Sequence, residues 1–430
     1  MPTRRFISPA LALAAALAAC RPGPDVALDA ARAVDAGSDP GAAPIVATAG
    51  DGREAVAWVS APGGGSEGRL HVRVNGAAPV ELRDALGPIE PHGEAPPKLA
   101  WDGDGRLHAL YVVSRLVPGR RFPASALRHA TSADGGRTWG APSTVTDDSL
   151  EFGSHNFHAL HAASDGTLYV AWLDGRAGRS ATFVTHSTDG GRTWAPNVRV
   201  TAGESCPCCR TAIATARDGT VYLAWRAVLP GSVRDVVVAR SRDLGATWTT
   251  PVRVHADDWV FDGCPHAGPA LQVDAAGRVH VAWWTGREGG AGVWYARSDD
   301  GARTFAAPVP LGVAEFSRPA HVQLALADGE RVVAAWDDGT RRIPRVVLRV
   351  SRNGGRGFGA PVAVSDDGRA TSFPVLATPG RTVRVLWAEQ SAGAHEHAEH
   401  ARPNMKDSSA VMGLKTVGAS RVLRREGRLP

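Results

Sequence analysis

Ser132-Ala133-Asp134-Gly135-Gly136-Arg137-Thr138-Trp139 has the side chains of a tight hairpin turn in order. Glycine supplies the positive φ such a turn needs, and the Asp carboxylate accepts backbone N–H bonds inside the loop. The Ser and Thr hydroxyls lock the same hairpin, while the closing aromatic is built to pack between neighbouring sheets. The pattern returns without gaps at Ser187–Trp194, Ser241–Trp248, Ser298–Phe305 and Ser351–Phe358, with starts 55, 54, 57 and 53 residues apart. Asp134, Asp189, Asp243 and Asp300, with Asn353 in the last copy, therefore have a structural role and are not a site.

Upstream of each turn lies a second repeat, a Gly-containing turn followed by an alternating strand that ends in an aromatic. Asp165-Gly-Thr-Leu-Tyr-Val-Ala-Trp172 and Asp218-Gly-Thr-Val-Tyr-Leu-Ala-Trp225 are nearly identical, and Ala276 to Trp283 follows the same design. Weaker copies end at Trp58, Trp336 and Trp387, and Tyr111 fills the slot in the second unit. Seven units thus carry the strand and the middle five carry the turn.

Each unit has room for four short antiparallel strands, A to D, with the turn between C and D. One such sheet cannot bury both faces alone, but stacking twisted sheets around an axis buries them and leaves only short edges. The expected fold is an all-β propeller of four-stranded blades. Seven blades are favoured over six with a remnant, the first running from Ile45 to Leu82. The seventh has strands near Val375–Ala377 and Thr382–Trp387 and must borrow from the tail, with Ala410–Val417 and Ser420–Arg424 as candidates. The totals agree: 430 residues suit one large repeat architecture, and 13 Trp, 49 Gly and 30 Pro suit short strands and turns. A net charge of +5 over this length carries no nucleic-acid footprint.

The eight-residue turn is an Asp-box, and from about Pro44 to Glu389 the chain resembles the sialidase and BNR-repeat superfamily of β-propellers. The resemblance implies a fold more than an activity, because Asp-boxes occur in sialidases, other glycosidases and non-enzymatic propellers. Retaining sialidases use a Tyr nucleophile with a Glu partner, an Asp acid/base and three Arg, after an early Phe/Tyr-Arg-Ile-Pro motif. Here Arg342-Ile343-Pro344 falls in the sixth unit. Tyr111, Tyr169 and Tyr222 occupy repeated strand positions and Tyr295 sits beside Trp294, so none is presented at the axis. Arg210, Arg318 and Arg342 are candidates for an anion cluster.

The N-terminus reads Arg4-Arg5, an apolar run from Phe6 to Ala19, then Cys20. A run this short after a basic start is a secretory signal. Leu17-Ala18-Ala19-Cys20 matches a bacterial lipobox, so the expectation is an exported lipoprotein lipidated at Cys20 and held at a membrane by acyl chains. Arg21 in place of an inner-membrane Asp signal favours the outer membrane. The expected organisation is signal peptide over 1–19, flexible tether over 20–43 and propeller over 44–430.

The remaining chemistry sits in two short motifs, Glu204-Ser-Cys206-Pro-Cys208-Cys209-Arg210 and Asp262-Gly-Cys264-Pro-His266. Both precede strand A of their units, so both should reach the face opposite the Asp-boxes, close to the axis. His155-Asn-Phe-His158 and Ser317-Arg318-Pro-Ala-His321 come to the same rim from the third and sixth units. The pair of Cys motifs also resembles a subset of exported sialidase-like bacterial proteins, from which no role follows. Two readings stay open: disulfides, as export and an even Cys count favour, or a Zn or Cu site of thiolates with His266. His395, His397 and His400 are read as a solvated loop.

The sequence therefore points to a glycan- or metal-binding or scaffolding module, with His155, His158, Arg210 and Arg318 as ligand contacts. A protein ligand is the other candidate partner. The alternative is an exo-sialidase-like or related glycosidase using Asp174, Glu204 and Glu389 as acids.

Overall fold

A computed structural model describes residues 26–35, 41–60, 68–120, 123–176, 178–390 and 420–430. It is a seven-bladed β-propeller of antiparallel sheets. Blade 1 comprises Gly41–Thr48, Glu54–Ser60, Arg69–Val74 and Val80–Leu82 as strands A to D. Blades 2 to 6 repeat the pattern, with innermost strands Lys98–Trp101, His155–Ala162, Ala212–Thr215, Ala270–Val273 and Gln323–Ala327. These A strands touch their neighbours in an unbroken ring that closes from Thr371–Ala377 of blade 7 back to blade 1.

The strand-B aromatics hold the ring together. Trp58, Tyr111, Trp172, Trp225, Trp283, Trp336 and Trp387 are all buried, and each packs into a cluster shared with the preceding blade. Trp172, for example, meets Leu110, Val112 and Leu127 of blade 2. Burying one such ring contributes roughly 2–3 kcal/mol of transfer free energy. The repeat thus places one large buried ring at every contact between blades.

The Asp-boxes form the C–D turns as expected. In blade 3, Asp189 Oδ1 accepts the N–H groups of Arg192 and Thr193, each at 3.0 Å, and Oδ2 accepts the Thr193 hydroxyl at 2.7 Å. Ser187 Oγ donates to the same carboxylate at 2.8 Å and accepts the Gly191 N–H at 2.9 Å. Gly190 and Gly191 both have positive φ.

Blade 7 departs from the expectation. Its strands A and B are Thr371–Ala377 and Thr382–Gln390, and Ser420–Arg428 pairs along strand B as strand C. The outer strand comes from the other end of the chain: Ala27–Leu28 and Arg32–Ala33 pair antiparallel with Ser420–Arg428. This part of the expected flexible tether is therefore ordered sheet. An open strand C would leave a row of unpaired backbone groups, and the N-terminal segment satisfies them. Val26 and Val34 are buried, and the Asp35 carboxylate accepts the N–H groups of Gly41 and Val422. Cys20, Ala410–Val417 and the His395–His400 tail lie outside the described residues. Among the described residues no helix is long and apolar enough to cross a membrane.

Candidate functional site

The Cys206–Arg210 loop is fixed at both ends by backbone bonds. Cys206 N donates to Arg226 O at 2.8 Å in strand B of its own blade, and Thr211 N donates to Phe157 O at 3.0 Å in blade 3. The loop of blade 5 is pressed against it at Gly268, where a Cβ would stand 2.3 Å from Arg210 O. Only glycine permits that approach. It carries Cys264 and His266 to the Cys206 loop.

The result is a compact cluster of soft donors. Cys209 Sγ lies 3.5 Å and Cys208 Sγ 3.8 Å from Cys206 Sγ. Cys206, Cys208 and Cys209 form one triple with all donor atoms within 4.8 Å of one another, and Cys208, Cys264 and His266 form a second. Among the described residues no disulfide joins these four cysteines; three are buried and Cys264 is half-buried. Hydrogen bonds from the other two thiols, with the Arg226 and Arg234 charges, hold Cys206 well below the usual thiol range. Burial pushes Cys208 up and lifts Cys209 to about 11.

Beside the sulfurs, the axis is closed by a polar hub. Glu94 Oε1 accepts Gly268 N at 2.6 Å and Arg210 N at 3.2 Å, and Oε2 pairs with the Arg210 guanidinium at 2.5 Å. Arg210 also donates to Val322 O at 2.7 Å. His321 donates its backbone N–H to Asp337 at 2.5 Å and pairs through Nδ1 with the same carboxylate at 2.6 Å. Burial pulls the His321 pKa down, but Asp337 and Glu94 outweigh it and raise it. Burial lowers His92 to about 4 and Lys98 to about 7, with Arg210 adding to the effect on Lys98. The rings of His92, Phe157 and His266 gather within about 6 Å of one another, and Phe157 and His266 both adopt positive φ. Non-glycine residues held in that region mark positions the surrounding structure over-determines.

The comparisons with known proteins agree with this architecture. Residues 89–260, from the approach to blade 2 through blade 4, match the family model described as BNR repeat-like domain. Over that stretch the chain is similar to BNR-repeat domains, and the whole is a seven-bladed β-propeller. No curated protein matches the sequence of this chain. Among solved structures it is similar to a Dyadobacter fermentans protein of unknown function, with TM-score 0.55, 12% identity and cover of 95% of this chain and 100% of that one. It is also similar to an ulvan lyase of polysaccharide lyase family 25, with TM-score 0.57, 16% identity and cover of 83% and 93%. A third likeness is to the polysaccharide lyase Uly1, with TM-score 0.52, 14% identity and cover of 88% of both chains. At these identities the likeness is one of fold.

The propeller treats its candidate residues unequally. Cys206, Cys208, Cys209, Cys264 and His266 converge, and Arg210 stands beside them. Arg318 does not join them: it is exposed and donates to the carbonyls of Arg341 and Arg342. His158 is fully buried, and burial holds it well below the usual imidazole range. His155 lies between Asp148 at 3.0 Å and Asp174 at 3.6 Å. Asp174 is fully engaged, accepting the Trp172 indole N–H at 2.8 Å and the Arg176 backbone and guanidinium N–H groups. Arg176 supplies that cluster's positive charge.

The other two acids belong to different places. Glu204 forms a surface pair with the exposed Arg179. Glu389 is buried in blade 7 between Arg369 and Arg421. Each carboxylate is tied to its own partners, an arrangement unlike a paired acid and base. Sequence reasoning did not single out Glu94. It sits in Pro91-His-Gly-Glu94-Ala-Pro-Pro, where nothing distinguishes it from an ordinary loop acid.

Proposed function

We propose that this propeller is an exported, lipid-anchored metal-binding module whose working site is the thiol and imidazole pocket of blades 4 and 5. The observation that carries this reading is the convergence of four sulfurs and His266 in overlapping triples of metal-ligand size. Thiolates with imidazole are the donor set that selects copper or zinc. Electrostatics supports the same assignment. The buried guanidiniums of Arg226 and Arg234 donate to carbonyl oxygens only, and Arg226 Nε and Arg234 Nη1 have no partner among the described residues. Buried cations call for anions. Metal-bound thiolates supply them, whereas neutral disulfides would not.

The test is metal analysis with thiol counting on untagged protein exported to the periplasm. Bound metal with reduced thiols is expected; four oxidised thiols and no metal would overturn the proposal. The anchor is tested separately. Cys20→Ser should abolish labelling by radioactive palmitate and release the protein from membranes, and retained labelling would refute it.

A glycan-directed role is the second reading, and one observation favours it. Near Arg210, burial lowers Lys98 to about 7, so that a large share of it is neutral near pH 7, and lowers His92 to about 4. A neutral base next to a guanidinium suits binding or proton abstraction at a uronic-acid sugar. The solved lyase of similar fold is described as bound to -[GlcA(1-4)Rha3S]-. In this chain Glu94 already neutralises Arg210, so the metal reading stands first. Unsaturated product from ulvan-type polysaccharide, lost in Lys98→Met, would reverse that order.

A further inference from the structure

We infer that the pocket holds two copper(I) ions bridged by the Cys208 thiolate, one on Cys206, Cys208 and Cys209 and the other on Cys208, Cys264 and His266. This rests on the metal-binding reading above and specifies its ion and stoichiometry.

The geometry argues first for two ions. A tetrahedral ion with bonds of about 2.3 Å places its four sulfurs about 3.8 Å apart, each within reach of the other three. The five donors here do not offer that. They fall into two sets of three sharing only Cys208, and no four of them lie mutually within 4.8 Å. Two three-coordinate sites sharing one sulfur use every donor without moving either loop. Three-coordination by soft ligands is a copper(I) preference, whereas structural zinc takes four.

Charge argues next for a monovalent ion. Four thiolates with two copper(I) ions and a neutral imidazole carry a net charge of −2. The two guanidiniums without a carboxylate partner at the pocket wall, Arg226 and Arg234, carry +2. Two zinc ions on the same donors would make the cluster neutral and leave both buried cations uncompensated. The wall is otherwise apolar: Arg226 stacks over Trp259, its centre 5.4 Å from the ring, and Phe157 and Val228 pack against the sulfurs. A low-dielectric wall strengthens the attraction between the cluster and the guanidiniums.

The His266 ring adds an independent sign. It is 93% buried, its Nδ1 has no hydrogen-bond partner, and its backbone is held at φ +49°. A buried imidazole nitrogen left without a partner is costly unless something binds it.

The experiment is anaerobic titration of reduced full-length protein with copper(I) against a chromophoric copper(I) chelator, followed by X-ray absorption at the copper edge. Expected are two equivalents per chain, a copper–copper scattering path, and sulfur-dominated three-coordinate ions. Cys264→Ser should keep one equivalent and lose the copper–copper path, with circular dichroism unchanged. One equivalent in the wild-type protein would overturn the bridged pair while leaving the metal-binding reading intact. No copper, with four oxidised thiols, would overturn both. Two equivalents retained by Cys264→Ser, or zinc displacing copper(I) under competition, would also defeat the assignment.

Discussion

At the scale of single residues, the five Asp-boxes show how much one carboxylate can organise. Asp189 receives four hydrogen bonds within its own turn, and they hold its pKa down to about 2 despite some burial. Asp243 is likewise held at about 2, chiefly by the Thr247 hydroxyl and N–H. A folded pKa below the unfolded value of about 4 means stability that is full above pH 4. It is lost as pH falls from about 4 towards about 2. Acid denaturation followed by tryptophan fluorescence should show this drop, and Asp189→Asn should flatten its share. Replacement by Ala should cost about 1–2 kcal/mol, as loss of a comparable side-chain cap does. Gly268 is the second decisive residue. Gly268→Ala should lower the copper content from two equivalents to one while sparing the Asp-boxes, because the clash at Arg210 separates the two loops; two equivalents retained would contradict that account.

At the scale of elements, the connections between blades do the work at the mouth. One loop acid, Glu94 of the blade 1 to blade 2 connection, binds Arg210 of blade 4 and Gly268 of blade 5, and lies 3.9 Å from His321 of blade 6. Its removal leaves the Arg210 guanidinium buried without its carboxylate. Glu94→Ala should therefore cost about 3–5 kcal/mol in urea unfolding, the range for breaking a buried ion pair from one side. Glu94→Gln should cost less, since it preserves acceptance from Gly268 N–H. If both variants unfold like wild type, the hub is not structural. The sequence marked the Cys and His motifs because residue type alone flags them. It could not mark Glu94, whose partners lie 116 and 174 residues away and give no local signature.

At the scale of the whole molecule, closure of the ring is the decisive event. Six blades are continuous stretches of chain, but blade 7 joins Thr371–Gln390, Ser420–Arg428 and the two short strands near residue 30. Ser420 Oγ also donates to Gly41 O, 379 residues away. A propeller stacked sheet on sheet cannot remain open without exposing the strand edges and cores of both end blades. Deleting 420–430 should therefore cause aggregation or broad, non-cooperative melting by calorimetry. Removing residues 26–35 should have a milder effect, lowering the melting temperature while preserving one transition. Equal effects from the two deletions would argue against this order of importance.

The sequence by itself determined the repeat, the turn and the preference for seven blades over six. Those features are local: a turn or an alternating strand is specified by side chains a few residues apart, and their spacing counts the blades. Only the tertiary structure decided what closes the ring, because Ala27–Leu28 and Arg32–Ala33 have no strand pattern until Ser420–Arg428 offers them an edge. It likewise decided that Asp174, Glu204 and Glu389 are separately held by their own partners, while Cys206, Cys208, Cys209, Cys264 and His266 share a pocket. Such choices depend on contacts between distant blades, and distance along the chain carries no record of them.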